Sequence, residues 1–140
     1  MPVTDNDKSQ KAIACRYEQI AVALEPLDVD ERTGGVELGI DVSFKGACQS
    51  LHWAHRTWVL YSALNAFEEA LRARRPAILI DMSRYPILQV MAASGRVSLV
   101  LNPTSGSQSA DGERLTVQLG AEPGLVAALA DAFRTFPKWW

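Results

Sequence analysis

The sequence predicts an α+β domain: an antiparallel sheet of six to seven strands, in the order β-β-β-α-β-β-β-β-α, with two helices packed on one face. Three observations carry this. Val36, Leu38, Ile40, Val42 and Phe44 alternate with Glu37, Gly39, Asp41, Ser43 and Lys45, the period of a strand with one buried and one polar face. Ser62 to Arg74 and Leu125 to Phe136 carry their apolar residues at the helical spacing instead. The connections between these stretches are short enough for neighbouring strands to pair antiparallel, and one sheet face is an economical place to bury both helical stripes.

Taken in order, residues 1–12 are polar and aperiodic and read as an unstructured arm, leaving 13–140 as a single domain. Strand character begins near Ile13; Ile20, Val22 and Leu24 share a face, and Pro26 is expected to end that run. Asp28 to Gly35 has the composition of an exposed loop, and the clear strand from Val36 to Lys45 follows. Gly46 turns the chain into a third strand through Gln49, Leu51 and Trp53 toward Val59. Trp53 and Trp58 fall on opposite parities there, which a bulge would reconcile.

The first helix is expected to take Ser62 as its N-cap and to bury Leu64, Phe67 and Leu71, with Pro76 closing it. Glu68 and Arg72 are spaced for an i,i+4 pair, and Arg72, Arg74 and Arg75 suit the negative end of the helix dipole. Three short apolar strands follow, over Ala77 to Met82, Ile87 to Ala92 and Val97 to Leu101, with Ser94-Gly95 as the hairpin between the last two. Asn102 to Glu113 is a polar tether. Leu115, Val117 and Leu119 mark the final strand, and Pro123 opens the second helix, whose stripe is Leu125, Leu129, Ala132, Phe133 and Phe136. No internal repeat is visible.

The function classes narrow by exclusion. At 140 residues and 48% hydrophobic content, one core-forming domain is expected. A net charge of −2 supplies no general attraction for nucleic acid. The apolar runs fall well short of the roughly 20 residues that span a bilayer, and the N-terminus carries no apolar leader, so a cytoplasmic protein with no membrane partner is expected. Cys15 and Cys48 are then reduced thiols. His52 and His55 stand three apart on a strand and so face opposite ways, which suits one exposed and one partly buried imidazole rather than a shared metal. Cys48 beside these histidines lacks the surroundings of an activated nucleophile and reads as a small buried cysteine near a turn. Asp28 and Asp30 begin like a calcium loop, but Arg32, Thr33 and Gly39 stand where a ligand, a glycine and a bidentate carboxylate belong. Neither a cofactor nor a catalytic residue is expected.

Two features remain. Glu25, Asp28, Asp30, Glu31, Glu37 and Asp41 face only Arg32 over the same span, which is either a solvated surface or a patch that steers a basic partner. Trp139 and Trp140 end the chain and either pack over a sheet edge or contact another chain. The partner-binding candidates are therefore Asp28, Asp30, Glu31, Glu37, Asp41, Trp139 and Trp140.

The run Val42-x-Phe44-x-Gly46, then Trp58, then Leu64-x-x-Phe67-x-x-x-Leu71, three apolar strands and a last helix ending Phe136-Pro137 resembles small bacterial α+β domains. Some of these are associated with the immunity proteins of bacterial toxin systems. The resemblance implies a small cytoplasmic protein that binds and neutralises a cognate toxin, and it transfers no catalytic residue. The expected function is a non-enzymatic protein-binding domain of this kind. The alternative is a homo-oligomeric scaffold, including a homodimer, or a small-ligand-binding domain.

Overall fold

A computed structural model describes residues 11–93, 96–101, 117–121 and 123–138. Within it the first strand-like stretch is a hairpin. β1 (Ile13–Tyr17) turns at Glu18 and Gln19 into β2 (Ile20–Asp30). Glu18 takes a left-handed backbone, φ 58°, unusual for a residue with a side chain, so no glycine or asparagine marks the turn. β3 (Gly35–Lys45) and β4 (Ser50–Leu60) complete a four-stranded antiparallel sheet in the order β1-β2-β3-β4. Helix α1 (Tyr61–Arg72) follows. β5 (Ala77–Ile80), β6 (Pro86–Ala93), β7 (Arg96–Leu101) and β8 (Val117–Ala121) form a second sheet, order β5-β6-β7-β8, and α2 (Gly124–Thr135) closes the described fold.

The α+β class and the two helices agree with the sequence, but the single sheet does not. Among the described residues eight strands form two four-stranded meanders that share no paired strand, each followed by a helix. Periodicity marks where strands lie and not which edges join. Nor do both helices lie on one common sheet: α1 packs on β5, α2 packs on β1, and the two helices pack on each other. Each helix therefore leans on the first strand of the other half.

Pro26 does not end β2. Pro26 stays in register opposite Leu38, the bulge that follows it leaves Leu27 without a cross-strand partner, and the strand continues to Asp30. The loop expected over Asp28 to Gly35 shrinks to Glu31–Gly34, where Gly34 (φ 73°) donates its N–H to the Asp30 carbonyl at 2.9 Å. β3 and β4 pair without interruption from Gly35 opposite Leu60 to Lys45 opposite Ser50. No bulge is present, and Trp53 and Trp58 face opposite sides.

Ser62 is not the N-cap. β4 runs into α1 with no intervening loop; Leu60 holds the cap position without a side-chain bond, and the Tyr61 N–H donates to the Gly34 carbonyl at 2.8 Å. The β2–β3 turn thus satisfies one of the helix's free amides. The Ala93–Arg96 pairing brackets the Ser94-Gly95 hairpin, whose own residues lie outside the described ones, as do Leu115, the tether and residues 1–10.

The core contains the expected stripes. Leu64, Phe67 and Leu71 of α1 and Leu125, Leu129, Phe133 and Phe136 of α2 are buried. Phe67 and Phe133 meet edge to face, ring centroids 5.9 Å apart, where the helices touch. Glu68 is buried beside them, its carboxylate 3.3 Å from Lys138 Nζ and 4.0 Å from Arg72, so the anticipated i,i+4 pair is the longer of two ion pairs. Lys138 also donates to the Phe133 carbonyl at 3.2 Å, tying the end of α2 to α1.

Candidate functional site: the outer face of the first sheet

The alternation along β2, β3 and β4 sends Val22, Leu24, Val36, Leu38, Ile40, Val42 and Val59 inward. The opposite parity builds an outer face whose cross-strand rows can be read from the register. Asp30, Gly35 and Leu60 form one row, Asp28, Glu37 and Trp58 the next, then Glu25, Gly39 and Arg56, then Ala23, Asp41 and Ala54. Five of the six acidic positions therefore share a face, with Glu31 in the turn at its end, but they do not share an environment.

In the middle of the face two of the carboxylates are partnered. Glu37 lies 3.4 Å from Arg56 Nε, and Asp41 lies 2.8 Å from His52 Nε2, both diagonal pairs between β3 and β4. Around them the small side chains of Ala23, Gly39 and Ala54 leave a shallow depression of about 390 Å³. Such exposed pairs contribute only about 0–1 kcal/mol each, yet they remove Glu37 and Asp41 from the free acidic surface.

At the hairpin end the carboxylates are not partnered. Asp28 accepts only the neighbouring Val29 N–H (2.8 Å) and Asp30 only the Arg32 N–H (3.1 Å), which shapes the turn. Among the described residues neither Asp28, Asp30 nor Glu31 has a cation within ion-pair distance, Arg32 included. The Tyr61 phenol beside them is held above its ordinary pKa by desolvation and then by the charges of Glu31 and Asp30. α1 has no acid in its first turn, so this hairpin tip supplies the negative charge at the positive end of its dipole.

Apolar side chains stand among these acids. Leu27, displaced by the bulge, is 39% exposed and lies over Gly39, while Leu60 is 37% and Met82 38% exposed. Met82 and the half-buried Trp58 both lie over Gly35, and the tip of the Met82 side chain occupies the space a Cβ there would take. Met82 belongs to the turn after β5, and a buried carboxylate fixes that turn. Asp81 accepts the Ser83 and Tyr85 N–H groups, each at 2.9 Å, and Met82 donates its own N–H to the Trp58 carbonyl at 3.0 Å. The second half of the chain thereby places one apolar side chain on the first half's outer face. The acidic residues were visible in the sequence, but Leu27, Trp58, Leu60 and Met82 were not. Trp58 and Leu60 could have been found from strand parity had the register been known; nothing in the composition signals Met82.

The other candidates separate. His52 is exposed on the outer face, and His55 points inward, stacked on Trp53 (centroids 5.7 Å, planes 22°) with Nε2 buried and unbonded. Desolvation lowers the His55 pKa, and Asp81 opposes that shift. Cys48 is exposed rather than buried, because its turn projects beyond the sheet. Cys15 lies against the core, where burial raises its thiol pKa to about 11 despite a hydrogen bond with the Val22 backbone. Both thiols are free. Trp139 and Trp140 lie outside the described residues. Among the described residues no group of three metal-ligating side chains gathers, and no helix is long and apolar enough to cross a membrane. Comparison with protein-family models, with curated proteins and with solved structures returned no match.

Proposed function

We propose that the chain is a non-enzymatic protein-binding domain of the immunity type, which captures a basic protein partner such as a toxin domain through the hairpin end of its outer sheet face. The observation that supports this is the coincidence there of three carboxylates that have no cation partner among the described residues, Asp28, Asp30 and Glu31, with exposed Leu27, Leu60 and Met82. Interfaces draw affinity from desolvated apolar anchors and association rate from complementary charge at the rim. Both ingredients occupy one end of one face.

The test begins with capture on the immobilised chain and identification of the retained protein by mass spectrometry. Association of the purified pair is then measured at low salt for the native chain and for a variant carrying Asp28→Lys, Asp30→Lys and Glu31→Lys. The expected result is a fall in association rate of about tenfold or more, which shrinks as salt is added. An unchanged rate at low salt would remove this face from the reading.

A further inference from the structure

The molecule carries a second patch whose chemistry is the converse of the hairpin end. Arg72, Arg74 and Arg75 surround the C-terminal end of α1; all three are exposed, and among the described residues neither Arg74 nor Arg75 forms an ion pair. Ile78, three residues on, is 44% exposed, the most exposed of the large apolar side chains. Helix α1, twelve residues and therefore about 18 Å long, separates this arginine corner from the acidic hairpin at its other end. Among the described residues, one end of α1 thus offers carboxylates without a cation, near Leu60 and Met82, and the other offers guanidinium groups without an anion, with Ile78 three residues beyond Arg75 in β5. Among the described residues Arg32 in the hairpin and Arg84, two residues after Met82, also form no ion pair, so no described cation neutralises the carboxylates.

We infer that the acidic hairpin end of one copy docks the arginine corner of a second copy, with Ile78 seated against Leu60 and Met82. This rests on the proposal above that the hairpin end receives a basic protein surface, and it names one such surface. The occupant is argued from charge complementarity together with the matching exposed apolar residues on both patches. The contact joins two different patches, so two copies that satisfy both contacts reciprocally stop at a dimer, and otherwise the assembly continues to a ring or a filament.

The experiment is light scattering and sedimentation of the full chain across concentration and salt. It includes two variants, the lysine triple at Asp28, Asp30 and Glu31, and Arg74→Glu with Arg75→Glu. The native chain is expected to gain mass with concentration at low salt and to return to monomer near 0.5 M salt, where the Debye length is only about 4 Å. Each variant alone is expected to stay monomeric. An equimolar mixture of the two is expected to associate again, because each restores the complement the other lacks, and this regain also shows that both variants are folded. A native chain that remains monomeric at low salt overturns the inference, as does a mixture that fails to associate while both variants keep the native circular dichroism. A monomeric native chain that still captures a foreign basic protein, and loses it in the lysine triple, overturns self-docking and leaves the function proposed above standing.

Discussion

The two halves of the chain follow one order, four meandering strands and a helix, with different dimensions. β2, β3 and β4 each run eleven residues, about 37 Å when extended, while β5 to β8 run from four to eight. Each half receives a twelve-residue helix. A helix of about 18 Å covers most of a short strand and only about half of a long one. The long strands β2 to β4 therefore run beyond what a helix of that length can cover, with the acidic hairpin at one end and half-buried Phe44, Leu51 and Trp53, which pack against the edge of the core, at the other. Equal helices over unequal sheets make the first half the surface-bearing one.

The largest effect is expected where the halves join. Phe133→Ala should remove the edge-to-face contact with Phe67 and leave a cavity, at a cost of about 3–5 kcal/mol. Urea unfolding, followed in a Trp139→Phe, Trp140→Phe background by tryptophan fluorescence, which then reports the first half through Trp53 and Trp58, and by far-UV circular dichroism, which reports both, would show one shared shift. Separated transitions would mean that the halves are stable independently.

Gly124 tests the second junction. It begins α2 under the ring of Tyr17 on β1, and an added Cβ would collide with that ring. Gly124→Ala should cost about 1–3 kcal/mol through overpacking, and Tyr17→Leu in the same chain should return part of it. The same midpoint measurement reads both.

His55 sharpens the comparison through pH. Desolvation holds its folded pKa below 6.5, so the unfolded chain binds more protons as pH falls past that value. Its contribution to stability is complete above about pH 6.5 and declines as pH falls through the lower folded value. Native chain and His55→Gln, compared by urea midpoint at pH 7.5 and 5, should differ in their pH slope, with the steeper acid loss in the native chain.

The smallest effect belongs to the paired carboxylates. Arg56→Gln should cost no more than about 1 kcal/mol, since the guanidinium is 68% exposed. It also frees Glu37, so capture of a basic partner should hold or strengthen; a loss of capture would give Arg56 a direct role in binding.

Much of the fold was legible because burial writes its period into the chain. The stripes Leu64, Phe67, Leu71 and Leu125, Leu129, Phe133 were readable at once, as was the alternation from Val36 to Phe44. What was lost lay in local backbone exceptions and in long-range choices. Glu18 turns with a positive φ that its side chain does not advertise, which hid the first hairpin. Pro26, a strand breaker by rule, survives beside a bulge. Nothing in a period of two distinguishes one sheet from two. For the candidate site the acidic residues were plain, but their sorting into partnered and unpartnered groups depends on which residue of β4 lies beside Glu37 and Asp41. That is a matter of register.

The direct passage from Leu60 to Tyr61 has a mechanical consequence. With no slack between strand and helix, and with the Tyr61 amide bonded to Gly34, α1 cannot tilt without moving the hairpin tip, and its other flank rests on β5. Pressure applied at the tip by a docked partner is therefore transmitted along a stiff strut into the second half. Amide exchange in β5, which packs on α1 and leads into the Met82 turn, should slow when the hairpin is occupied.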